Sequence, residues 1–64
     1  MKEKARELVT EVFNEWCDAI EAHDKPLTQM YYNRFMGAVE LYAQLFGGYV
    51  SYRAKTRKIT FEER

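Results

Sequence analysis

The chain has 64 residues, with ten basic and ten acidic side chains and no net charge, which sets one domain as the limit. At 47% hydrophobic residues it is too apolar for a disordered segment, yet a domain of this size buries only about 60% of the surface its unfolded chain exposes. Small domains are reinforced by disulfides, a metal or a partner; with Cys17 the only cysteine and His23 the only histidine, an internal disulfide and a zinc spacing are excluded, which leaves a partner or a second copy.

A lone thiol fits a reducing, cytoplasmic compartment. The N-terminal run Met1-Lys2-Glu3-Lys4-Ala5-Arg6-Glu7 is too acidic for a signal peptide. Glu40 and Gln44 interrupt the most apolar stretch well short of bilayer length, so no membrane span is expected.

The first element is a helix over about residues 2–22. Ala5, Leu8, Val9, Val12, Phe13, Trp16, Cys17, Ala19 and Ile20 recur at spacings of three and four, and at about 100° per residue they fill one half of the wheel. Cys17 reads there as a small buried hydrophobe. The other half carries Glu3, Glu7, Glu11, Glu15, Asp18 and Glu21 with Thr10 and Asn14. Like charges four apart cost on the order of 0.2–0.5 kcal/mol per pair. Such a row is ordinarily a solvated face; its functional reading, through Glu7, Glu11, Glu15 and Asp18, is a docking surface for a basic partner, or for this protein's own basic hairpin across a dimer. No turn loop supplies the converging oxygens that calcium or magnesium requires.

His23-Asp24-Lys25-Pro26 ends that helix. Proline suits a first helical turn, and either Asp24 or Thr28 can cap the next helix, expected over about 28–46. So short a connection makes the helices antiparallel neighbours. Gly47-Gly48 supplies the left-handed stop. Gly37 is costly inside a helix, by roughly 1 kcal/mol relative to alanine, and marks a place where another backbone can approach closely.

The second helix is apolar over about two thirds of its circumference, well past the ~100° stripe a surface helix needs. Met30, Tyr31, Ala38, Leu41, Tyr42 and Leu45 form one sector, and Tyr32, Phe35, Met36, Val39, Ala43 and Phe46 form the next. One neighbouring helix cannot cover both. The candidates for the second cover are the C-terminal segment and a second copy of the chain, the latter through Tyr32, Phe35, Met36, Val39 and Phe46, since aromatic residues and methionine are enriched at interface cores.

From Tyr49 the hydrophobic period becomes two. Val50 and Tyr52 alternate with Ser51 and Arg53, and Ile59 and Phe61 with Thr60 and Glu62, which predicts a β-hairpin over about 49–62 turning at Ala54–Lys58. Pairing Val50 with Phe61 and Tyr52 with Ile59 puts all four on one face. Without an Asn-Gly turn signal, the alternative is a helical or frayed tail after the glycines. Five bases (Arg53, Lys55, Arg57, Lys58, Arg64) against two acids (Glu62, Glu63) make this segment the basic end. Tyr52, Arg53, Lys55, Arg57 and Lys58 are candidate nucleic-acid contacts, since arginine and lysine beside tyrosine can meet phosphates and stack on bases. A sequence pI near 6.6 argues against that footprint.

No catalytic set emerges. Cys17 and His23, six residues apart, diverge by about 120° on a helix, and no phosphate-binding glycine loop precedes a helix. The expectation is an α+β miniature, an antiparallel helix pair followed by a β-hairpin, without cofactor or metal. Its expected role is protein–protein interaction, as a homodimer or with another protein; the alternative is nucleic-acid binding at the hairpin tip.

Overall fold

The computed structural model describes residues 1–63 as α1 (Lys2–Glu21), α2 (Lys25–Phe46), β1 (Tyr49–Arg53), a 3-10 turn (Ala54–Thr56) and β2 (Lys58–Glu62). This is the expected α+β architecture of a helical hairpin followed by a β-hairpin. The connection between the helices is tighter than the sequence suggested. Backbone N–H groups of His23 and Asp24 donate to the carbonyls of Ile20 (3.0 Å) and Ala19 (3.2 Å), the paired bonds of a Schellman close. That close puts His23 in the left-handed region, at φ 57°. Asp24 then caps α2 at once, its side chain accepting from the Leu27 N–H at 3.1 Å. With Asp24 as the cap, Pro26 falls in the first turn, where its missing N–H costs nothing, so α2 starts three residues before Thr28.

α2 ends as expected. Gly47 adopts φ 75° and its N–H donates to the Ala43 carbonyl. The glycine that follows is needed for space and not for its φ. Gly48 is buried, and a Cβ there would sit 2.3 Å from the Glu62 carbonyl oxygen. The start of β1 therefore lies flush against the end of β2. Gly37, by contrast, has nothing within 4 Å of its would-be Cβ, so no backbone approaches it and the expected close contact is absent.

β1 and β2 pair antiparallel, Val50 opposite Phe61 and Tyr52 opposite Ile59. The turn is built from the 3-10 segment closed by Arg57 at φ 55°, which does without an Asn-Gly pair. The core is Val9, Phe13 and Cys17 of α1, spaced four apart, with Phe35 and Tyr42 of α2, spaced seven apart. Val50, Ala54, Ile59 and Phe61 pack onto it from the hairpin.

The two glycines give opposite expectations. Gly37→Ala fills open space in a helix interior and raises unfolding stability by about 1 kcal/mol. Gly48→Ala forces β1 off the end of β2 and lowers it. Denaturant unfolding of both variants checks the sign of each.

Candidate functional site

The hairpin settles which sector of α2 is covered. Tyr52 sends its ring edge-on against Phe35, centroids 4.9 Å apart, and sits 5.9 Å from Trp16 and 6.3 Å from Phe13. Its hydroxyl donates to the Met36 Sδ at 3.8 Å. Phe61 lies 5.2 Å from Tyr42, which in turn lies 4.9 Å from Phe46. The sequence placed a self-interface on Tyr32, Phe35, Met36, Val39 and Phe46. The chain uses most of that sector itself. Phe35 is fully buried, at 0% exposure, and so belongs to no surface. Met36, Val39 and Phe46 are half-buried against the core. Tyr32 alone remains exposed, 5.3 Å from Trp16.

The basic tip divides in the same way. Tyr52 shares the pleat face of Val50 and lays its ring against the helices while staying 38% exposed. Arg57 is turned onto α1, where it donates to Asp18 Oδ1 at 2.9 Å and to Glu21 Oε2, and these two carboxylates, Asp18 first, push its pKa above the ordinary arginine value. Asp18 therefore meets the hairpin of its own chain. Glu7 has only Lys4, at 3.9 Å. Arg53, Lys55 and Lys58 stay exposed, and among the described residues none has a carboxylate within 4.0 Å.

At the other end of the hairpin Arg6 donates from Nε to the Tyr42 hydroxyl at 2.9 Å and lies 5.4 Å over the Phe61 ring. Glu63 accepts from Lys2 and Arg6; Lys2 above all holds its carboxyl below the ordinary value. Cys17 is buried. Burial pushes its thiol up, against the pull of Arg57, and a protonated buried thiol is a small hydrophobe rather than a nucleophile.

What the chain leaves uncovered is the opposite side of the helix pair. Leu8, Leu41 and Leu45 are 52%, 56% and 65% exposed. They rim a groove of about 340 Å³ floored by Ala5, Val9, Val12, Ala38, Tyr42 and Phe46. Toward the connector a second groove is lined by Glu15, Asp18, Ala19, Ala22, Leu27 and Tyr31. Single exposed leucines are ordinary; here three of them border one apolar groove. The signal for it stands in the sequence as the first sector of α2, which periodicity alone gives whole to the α1 contact. Ala5, Val12 and Ala38 are too small to close that contact over, and the leucines remain outside.

Among the described residues no group of three or more His, Cys, Asp or Glu side chains is placed to hold a metal ion, and no helix is long and apolar enough to cross a membrane. No family model, curated protein or solved structure matches the chain.

Arg57→Ala removes the tie between the hairpin tip and α1. Amide exchange through the 3-10 turn and the adjoining strand ends is expected to quicken several-fold, with protection in mid-α1 and mid-α2 unchanged. Hydrogen-exchange mass spectrometry resolves the two regions.

Proposed function

We propose that this chain is a small non-enzymatic protein–protein interaction module that self-associates through the open face of its helix pair. The observation that supports this reading is the continuous apolar groove between α1 and α2, rimmed by Leu8, Leu41 and Leu45, on a domain whose other helical face is already covered by its own hairpin. Leucine stripes of this kind bury themselves against another helix, since each buried leucine contributes roughly 1.5–3 kcal/mol relative to exposure. The interface therefore falls on the aliphatic sector of α2 and not on its aromatic one.

Sedimentation across a dilution series tests this. Wild-type chain is expected to run as a dimer that dissociates on dilution. The paired substitution Leu41→Glu with Leu45→Glu, at two solvent-facing positions, is expected to give a monomer with unchanged helical circular dichroism. A wild-type chain that is monomeric at every concentration removes the self-association reading.

A second reading rests on Arg53, Lys55 and Lys58, which are exposed and have no carboxylate partner among the described residues. They suit contact with nucleic-acid phosphates. Such binding falls steeply with salt and would be lost on Arg53→Ala with Lys58→Ala; a protein that binds neither duplex nor single strands at low salt excludes it.

A further inference from the structure

The open face has a seam with a charge set into each side. On α2, Leu27, Tyr31, Arg34, Ala38, Leu41 and Leu45 alternate spacings of four and three, the pattern of a coiled-coil seam. On α1 the matching positions are Leu8, Val12, Glu15, Ala19 and Ala22. Glu15 lies seven residues after Leu8, and Arg34 seven before Leu41.

Because the helices are antiparallel, these charges fall at one height. Leu8 and Val12 share a groove with Ala38, Leu41 and Leu45, while Glu15 and Ala22 share one with Leu27, Tyr31 and Asp18, the last already paired with Arg57 of its own chain. Arg34, between Tyr31 and Ala38 on the stripe, is level with Glu15. The two are nevertheless not paired within the chain. Among the described residues no carboxylate comes within 4.0 Å of Arg34 and no base within 4.0 Å of Glu15. Arg34 instead rests 5.6 Å over the Tyr31 ring.

We infer that the face is occupied by a second copy of this chain, set by a two-fold axis running parallel to the helices, so that α1 of each copy lies on α2 of the other and Arg34 meets the partner's Glu15. This rests on the association proposed above and adds its geometry. Two face-to-face arrangements with two-fold symmetry keep the helices of the two layers aligned. With the axis across the helices, α1 lies on the partner's α1 and α2 on its α2, so an axis at the height of the charges sets Arg34 against the partner's Arg34 and Glu15 against its Glu15, and an axis at any other height sets both against apolar positions of the stripe. Neither placement stacks Arg34 directly on the partner's Glu15: the first opposes like charges and the second buries charges without partners, and both are unfavourable. With the axis along the helices, heights are kept. Each Arg34 then faces the partner's Glu15, the leucine ends meet each other, and every helix is antiparallel to its neighbours, as in an up-down four-helix bundle. Two helices of about 30 Å, each about 10 Å across, present on the order of 600 Å² in projection, comparable with the about 800 Å² per partner of a standard interface.

A charge-reversal mixing experiment tests the arrangement. The full-length E15R chain and the full-length R34E chain are each expected to dimerise at least tenfold more weakly than wild type, since like charges then face each other across both symmetric contacts. Mixed in equal amounts, the two chains are expected to form a heterodimer of near wild-type affinity, because both contacts in the mixed pair join opposite charges. Sedimentation, with native mass spectrometry to separate hetero- from homodimer, reads the result, and circular dichroism checks that each chain is folded. No rescue on mixing, in chains that remain folded and whose dimerisation Leu41→Glu with Leu45→Glu still abolishes, overturns this geometry and leaves association through the face standing. A wild-type chain that never dimerises overturns both.

Discussion

The structure depends on one aromatic knot. Phe13 and Trp16 of α1 enclose Phe35 of α2, at 5.3 and 5.6 Å, and Tyr52 of β1 closes over the three. Edge-to-face and offset ring pairs of this kind contribute about 0.5–1.5 kcal/mol each beyond their burial. A two-stranded hairpin alone is marginal in water, so β1 and β2 hold their pairing because Tyr52, Val50, Ile59 and Phe61 have this surface to lie on. The helix pair, in turn, would leave Phe35 open to water without the hairpin. Each half of the fold supplies what the other lacks.

Charge fixes where the hairpin lies. Opposite charges join the C-terminal segment to α1 at two points near the ends of the strands, with the base on the hairpin at one and on the helix at the other. Arg57 holds the turn to Asp18 and Glu21, and Glu63 ties the far end to Lys2 and Arg6. Ion pairs so exposed contribute little to stability. Their effect is on register: a hairpin shifted along the helices would lose both ties and pull Tyr52 out of the knot. The row of glutamates along α1 is thereby split in two. Its connector end belongs to the fold, while Glu7, Glu11 and Glu15 stay available to solvent or to another molecule.

The elements are legible in the sequence because each is written in a local period. The three-four spacing of α1, the double glycine after Phe46 and the alternation from Tyr49 identify both helices, the stop and the strand register without tertiary information. The early start of α2 is less visible, since it depends on His23 accepting a left-handed conformation that side chains other than glycine adopt at a cost. The site is hard to read for a different reason. A helical wheel shows how much of α2 is apolar, but not which part a covering element will choose. Aromatic residues suggest an interface, yet rings as large as Phe35 and Tyr52 are also what a small core needs to fill its volume. The leucines, bland in composition, are what is left over.

That division of labour has a physical basis. An aromatic sector buries itself well against one partner of fixed geometry, and the hairpin is such a partner, joined covalently at Gly47-Gly48. An aliphatic stripe with three-four spacing suits a helix, and the chain has no third helix among its described residues. Arg34 adds direction to what would otherwise be a plain apolar seam. In an isolated chain its guanidinium rests 5.6 Å over the Tyr31 ring, exposed and set into the stripe that carries the leucines. Against a surface with a carboxylate at the same height, that charge becomes a contact, and against a wholly apolar surface it becomes a buried charge. In the proposed association such a face would discriminate among helical partners by a single ionic position, for which α1 of the same chain carries a complementary carboxylate, Glu15.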